Sequence, residues 1–444
     1  MKIQPARRIR GRLRLPGDKS ISHRAALLSA LAEGSARLTN FSTSADCAST
    51  LDCLRQLGVS IELEGTEARV KGVGAQGLRS SSATLDCGNS GSTMRLLAGV
   101  LAGQAFESCL TGDDSLRSRP MKRIIEPLEL MGARISSIAG NAPLRIAGRH
   151  PLVPVKYEMP FASAQVKSCI LLAGLSAAGR TTVIEEADVT RDHTERMLRW
   201  LGVTIEARTE THATSANKSI LAIDGPAQFA ARDINIPGDI SSAAFFMAAA
   251  ALLPGSELLL ETVGLNPTRA QILSTLQSLG MNVRTTNLRE QCNEPVGDIE
   301  VSTGDSSSFS VSSGKKANTL RGQSIARLID ELPVLAVVGS QLPGGIEIRD
   351  ASELRVKESD RIAATVENLR AMGASVEEFA DGLRVGGHVR LRGAQIRTHG
   401  DHRIAMAFAV AALLAEGESE LDDAGCVRIS FPGFFESLES VIER

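Results

Sequence analysis

The chain has 444 residues, enough for two or three domains, and 43% hydrophobic with 23% charged residues is the balance of an ordinary soluble globular protein. Its formal net charge is −2 and its aromatic content 3%, with Trp200 and Tyr157 the single Trp and Tyr. No global field therefore draws it to nucleic acid or to a membrane surface, base-stacking platforms are excluded, and any basic site must be local.

From the N-terminus, MKIQPARRIRGRLRLPG is basic, lacks an apolar centre and alternates like a strand, so it reads as mature protein rather than a signal or transit peptide. No apolar run approaches the ~20 residues of a membrane span. The seven cysteines are odd in number and form no CxxC pair, the pattern of reduced core thiols in a cytoplasmic protein.

A segment then recurs six times: a Gly or Asp opening, small polar residues, and an Ala/Leu-rich helix that usually closes on Gly. It reads GDKSISHRAALLSALAEG from Gly17, GNSGSTMRLLAGVLAG from Gly88 and SAQVKSCILLAGLSAAG from Ser163. It returns as GDISSAAFFMAAAALLPG from Gly238, DELPVLAVVGSQLPG from Asp330 and GDHRIAMAFAVAALLAEG from Gly400. Successive starts lie 71, 75, 75, 92 and 70 residues apart. Between them falls a helix ending in Leu/Met-Gly and running into a strand: CLRQLGVSI, LELMGARI, LRWLGVTI, LQSLGMNV and LRAMGASV. Glycine there is the expected C-cap, because it takes the left-handed conformation cheaply. The C-terminal FFESLESVIE would be the sixth copy, and ARVKGV, LRIAG and GLRVGG read as strands.

The sequence thus predicts an α/β protein of six helix–strand–helix–strand units of roughly 70 residues, grouped as two domains of three. Proline joints at Leu15-Pro16-Gly17 and Ile236-Pro237-Gly238 mark the crossovers. Residues 1–16 plus 237–444 are expected to form one domain, completed by the N-terminal strand, with 17–236 inserted as the other. The longest interval holds VSTGDSSSFSVSSGKKAN, read as an extended surface hairpin or loop. Helix N-termini with small polar residues attract anions, so six of them converging on one cleft would favour an acidic small molecule.

Two segments carry the chemistry. In LPGDKSISHR, Lys19, Ser20 and Arg24 open a helix and share a face. A solvated helix start capped by Asp18 would account for any one of them, whereas the three together favour anion binding. GxxxxGK[ST] is absent, so the segment is not a P-loop. In ELRVKESDRI, Arg355, Lys357, Glu358, Asp360 and Arg361 crowd together, and on a helix Lys357 and Arg361 would repel unless Glu358 or an anion lay between them. Read alone the run is a solvated face, and Asp330 in IDELPVLA is an acidic helix start favoured by the dipole. The histidines in TRDHTE and THGDHR lack the partners of a closed metal site.

These segments, with GNSGSTMRLL, SRPM, ASAQVKS, TRDHTE, GDISSAA, IDELPVLA and GDHRIAMAF, resemble the 5-enolpyruvylshikimate-3-phosphate synthase family along nearly the whole chain, most closely its bacterial class II form. The resemblance implies a two-domain inside-out α/β barrel of six βαβαββ-like repeats, with the active site in the cleft between domains that close on substrate. It implies enolpyruvyl transfer from phosphoenolpyruvate to the 5-hydroxyl of shikimate 3-phosphate, without a metal or other cofactor, by a monomer that binds neither nucleic acid nor membrane. Lys19, Ser20, Arg24, Ser163, Ala164, Gln165, Arg191, Asp330 and Lys357 would hold shikimate 3-phosphate. Lys19, Asn89, Gly91, Arg119, Gln165, Arg361 and Arg403 would hold phosphoenolpyruvate, since the planar guanidinium fork suits oxyanions. Asp330 would take the 5-hydroxyl proton, while Glu358 and Lys19 handle proton transfer at the enolpyruvyl carbons. Gly91, where a methyl group in the family crowds the inhibitor glyphosate, implies some sensitivity to it.

The sequence departs from the family at His23, at Ala164, which leaves one hydroxyl fewer for the shikimate phosphate, and at Ile429, where some members place a phosphoenolpyruvate-contacting Lys. The alternatives are the sister transferase acting on UDP-N-acetylglucosamine and a non-catalytic anion-binding protein of the same fold. The sister family carries a reactive Cys in the loop before Arg119-Pro120, and here that loop, TGDDSLRSRP, has none.

Overall fold

The structure, a computed structural model, describes residues 1–186, 190–211, 217–303 and 318–444, so the Ser/Thr/Gly-rich stretch after Thr303 lies outside the described residues. The chain divides into two compact units: Met1–Pro16, Pro237–Glu290 and Pro295–Arg444 in one, Gly17–Ile236 and Gln291–Glu294 in the other. Each has its own apolar core.

Six largely buried helices form the centres of these cores: α1 (Lys19–Leu31), α2 (Gly91–Ala102) and α3 (Ala164–Gly174) in the inserted unit, α4 (Ile240–Leu252), α5 (Leu332–Gln341) and α6 (His402–Leu413) in the other. Every residue of α4 and α6 is buried. Small side chains let such helices approach closely: a Cβ on Gly99 of α2 would meet the Cys169 carbonyl of α3 at 2.3 Å. Five of the six start on a polar side chain that accepts a backbone N–H, from Asp18, Ser90, Ser163, Asp239 and Asp401. α5 instead has Pro333 in its first turn.

The expectation that these helices close on Gly is met only by α2, capped by Gly103. The others leave the helix directly; the N–H of Ala32, in extended backbone, still bonds to the Leu28 carbonyl, and Gly34, at φ +100°, already lies in the strand Glu33–Thr39. The intervening helices behave as expected. Gly58, Gly132, Gly202, Gly280 and Gly373 all have φ between +85° and +97°, and each following residue donates back to the helix, as Val59 N does to Leu54 O at 3.1 Å.

Sheets lie outside the inner helices. In the inserted unit Leu85–Asp86 runs parallel to Glu107–Thr111, which pairs antiparallel with Asn141–Ala147, the partner of Arg134–Ile138. Lys156–Glu158, Gly179–Glu186, Lys218–Gly225 and Ile205–Glu210 repeat that order. The repeat is therefore βαβαββ: leading strand, inner helix, strand, outer helix, hairpin. The first repeat lacks a leading strand, and Ile234–Asn235 fills the place beside Leu38 and Thr39. In the other unit Arg8–Arg14 is the leading strand, parallel to Glu257–Gly264 with Gly11 opposite Leu258. Lys2–Ile3 occupies a place beside Ser419–Leu421 that a hairpin takes in other copies. Among the described residues no helix is long and apolar enough to cross a membrane.

Candidate active site

In the inserted unit the start of α1 places Lys19 and Arg24 differently. Lys19 Nζ lies 2.7 Å from Asp46 Oδ2 on the neighbouring helix Ala45–Gln56. Arg24 is buried and donates to three neutral acceptors: Thr194 Oγ1 at 2.7 Å, Ser168 Oγ at 2.8 Å and Ser20 O at 2.8 Å. Burial pulls its pKa to about 10, and nearby Arg191 adds to the fall while Glu195 opposes it. A guanidinium buried on hydroxyls beside a second guanidinium is a place where an anion is favoured. His23, by contrast, faces the core on Thr50 Oγ1 at 2.7 Å, so its departure from the family touches packing.

The N-termini of α2 and α3 meet where Gln165 Nε2 donates to Ser92 Oγ at 3.0 Å. Gln165 Oε1 accepts from Arg95 Nη1 at 2.9 Å, and a methyl at Gly91 would lie 2.5 Å from that Nη1. Arg119 donates to Asn89 Oδ1 at 2.8 Å, Asn89 O at 3.3 Å and Ser115 Oγ at 3.0 Å, which fixes its head beside Asn89 and Gly91. Ser163 caps α3 through Val166 N at 3.4 Å, with Ala164 next to it. Cys109 sits on the strand Glu107–Thr111, not in the loop before Arg119.

In the other unit the N-termini of α4, α5 and α6 meet around Asp330. Its oxygens lie 3.4 Å from Arg269 Nη1, 3.5 Å from Arg361 Nη1 and 3.9 Å from Arg403 Nη2. Arg361, 2% exposed, also donates to Asp401 at 2.7 Å and to Glu358 Oε2 at 2.6 Å. Burial opposes its charge, but Asp401 and Glu358 outweigh it and raise the pKa. Glu331 is buried and accepts from Ser241, which also accepts from Arg269. Burial raises the Glu331 carboxyl, with Arg269 opposing. Burial likewise lowers the Lys357 ammonium, against the pull of Asp330. Arg403 is 6% exposed, and its Nε bonds to no described residue.

One local expectation is corrected. Lys357 and Arg361 do not share a helix: a 3-10 turn spans Ser352–Val356, and the helix begins at Arg361. Asp360 decides this by accepting Ala363 N at 3.0 Å as the cap. Arg355 turns to Asp360 and Glu378, 2.7 and 3.0 Å away, and is structural. Ile429 ends a 3-10 turn, Gly425–Ile429, and packs partly on the core.

Sequence reasoning missed Asp46, Arg95, Ser168, Thr194, Arg269, Glu331 and Asp401. Asp401 repeats the Gly-Asp opening of Asp18 and Asp239, and Arg95, Ser168, Thr194 and Glu331 stand inside GNSGSTMRLL, ASAQVKS, TRDHTE and IDELPVLA, the segments that carry the resemblance. Nothing in local spacing marks Arg269.

Guanidinium groups, an ammonium and carboxylates at the N-termini of buried helices, in α/β units of three βαβαββ repeats, define a transferase fold of the enolpyruvyl type built for acidic small molecules. The model of the EPSP synthase (3-phosphoshikimate 1-carboxyvinyltransferase) family matches residues 3–438. The 3-phosphoshikimate 1-carboxyvinyltransferase of Koribacter versatilis is 52% identical over 100% of this chain and 99% of its own. That of Salinibacter ruber is 49% identical over 99% and 98%. A solved EPSP synthase from Acinetobacter baumannii superposes with a TM-score of 0.84 at 38% identity, covering 99% of this chain and 98% of its own. The chain belongs to the EPSP synthase family.

Proposed function

We propose that this protein transfers the enolpyruvyl group of phosphoenolpyruvate to the 5-hydroxyl of shikimate 3-phosphate, releasing phosphate. Family membership supports the reaction, and one observation carries the assignment of chemistry: Asp330 stands among Arg269, Arg361 and Arg403, with Glu358 on the same Arg361. In our reading Arg24, Arg191, Ser20, Ser163 and Gln165 bind shikimate 3-phosphate, beside Ala164 and with Lys357. Arg119, Arg361 and Arg403, with Asn89 and Gly91, bind phosphoenolpyruvate.

The substrate 5-oxygen attacks C2 while its proton passes to Asp330, and C3 takes a proton from the Lys19 ammonium. The product is a tetrahedral ketal phosphate. Loss of phosphate then re-forms the C2–C3 double bond as Glu358, already an acceptor toward Arg361, takes a proton back from C3. Cations aimed at the carboxylate and phosphate stabilise the charge that develops on them. The seven free cysteines support a cytoplasmic setting, and we expect a monomer, checked by sedimentation.

The test is phosphate release from phosphoenolpyruvate with shikimate 3-phosphate or UDP-N-acetylglucosamine as acceptor. Release with shikimate 3-phosphate alone is the expected result. Release only with the nucleotide sugar would move the protein to the sister activity, and release with neither would leave a binding protein.

A further inference from the structure

Lys167 takes no part in these steps, yet it is an ionic side chain only 1% exposed. Its Nζ lies 2.7 Å from Glu185 Oε1 and 2.8 Å from Glu195 Oε1, and both carboxylates are buried as well. Burial would lower the ammonium, but Glu195 and Glu185 outweigh it and raise the pKa, so the charge persists. Buried ion groups of this kind are often replaceable by apolar residues without loss of stability. Stability is therefore a weak account of the cluster, and what it connects is more informative.

The second Glu185 oxygen accepts Thr190 Oγ1 at 2.6 Å, and Thr190 immediately precedes Arg191. Glu195 follows Thr194, whose hydroxyl takes Arg24 Nε at 2.7 Å. Ser168, next to Lys167 on α3, takes Arg24 Nη2 at 2.8 Å and lies 2.7 Å from Thr194 Oγ1. One ammonium thus ties down the turn from Thr190 to Glu195 at both ends. Arg24 and Arg191 repel each other, and Glu195 favours the charge on Arg24. One cation with two anions leaves one negative charge in excess behind two guanidinium groups that must stay together before any phosphate arrives.

We propose that Lys167 is a positioning residue that holds Arg24 and Arg191 together for the phosphate monoester of the acceptor, through Glu185 and Thr190 on one side and Glu195 and Thr194 on the other. This deepens the acceptor-site reading above and rests on it. Thr190→Val breaks the link to Glu185 without disturbing the ion cluster, and Thr190→Ser keeps the hydroxyl. KM for each substrate, kcat, and calorimetric binding of shikimate 3-phosphate alone are measured on both. Thr190→Val is expected to raise KM and Kd for shikimate 3-phosphate about tenfold, the loss of roughly one hydrogen bond to a charged group. The phosphoenolpyruvate KM and kcat stay within about twofold, and Thr190→Ser restores the acceptor constants. Lys167→Met shifts the same constants further.

Unchanged acceptor binding in Thr190→Val overturns the proposal. So does an equal loss for both substrates accompanied by a lower Tm, the mark of a merely structural role. Arg24→Met separates the two readings. If it binds shikimate 3-phosphate as tightly as the parent, the acceptor-site assignment itself fails. If it loses binding while Thr190→Val does not, the positioning role alone fails.

Discussion

At the scale of the residue, the charge around Asp330 is unusual for a helix start. Three arginines within 3.9 Å exceed what the dipole of α5 would call for, and two of them, Arg361 and Arg403, are candidates for the donor's phosphate and carboxylate. Asp330→Asn keeps size and hydrogen bonding but removes the proton acceptor. Substrate KM values are expected near the parent's, with kcat lower by ~10²–10⁴-fold, the usual contribution of positioned proton transfer. Turnover within about threefold of the parent would remove Asp330 as the base. Asp330, Lys19, Arg24 and Arg361 were legible because each stands in a short motif. Arg269 was not, because only packing carries it to Asp330, and Thr194, although inside TRDHTE, is paired with Arg24 by packing alone.

At the scale of the element, capping explains both what was predicted well and what was not. The Leu/Met-Gly signature marks a left-handed residue that the chain itself requires, so it survives in the structure at all five glycines. Gly373, at φ +90°, has no atom within 4 Å of an added Cβ. Gly373→Ala therefore isolates backbone strain from crowding, and should cost about 1–2 kcal/mol of stability in urea unfolding. A loss below about 0.3 kcal/mol would show that strain does not hold this turn. The ELRVKESDRI run does not form one helix for a local reason: Asp360 caps the helix that begins at Arg361, which leaves Lys357 outside it.

At the scale of the whole molecule, the chain crosses between units near residues 16 and 236, and a strand from the N-terminus serves the repeat that begins near Pro237. Acid stability reflects the buried core. Burial pulls the pKa of His23 well below 6.5, with Lys19 and Arg24 adding to it. The unfolded chain takes up a proton there below pH about 6.5 while the folded chain does not, so this part of the stability is present above that pH and falls as the pH drops toward the folded-state pKa. His23→Gln removes that uptake. The stability difference between pH about 7.5 and about 5.5 should shrink by about 1 kcal/mol, one proton over roughly one pH unit. An unchanged difference would place the acid loss in other groups.

The amino-acid sequence by itself determined the period of the repeat, the placement of both helix types and the motifs that resemble one family, because apolar periodicity, caps and turn glycines are local and recur from repeat to repeat. The tertiary structure decided which side chains stand around each functional group. Arg24 on Thr194 and Ser168, Arg361 on Asp401, and Asp330 beside Arg269 join residues 40 to 170 positions apart in pairs that no local spacing encodes. It also decided that His23 belongs to the core and Arg355 to the framework, since burial and partner choice depend on neighbours that only the folded chain supplies.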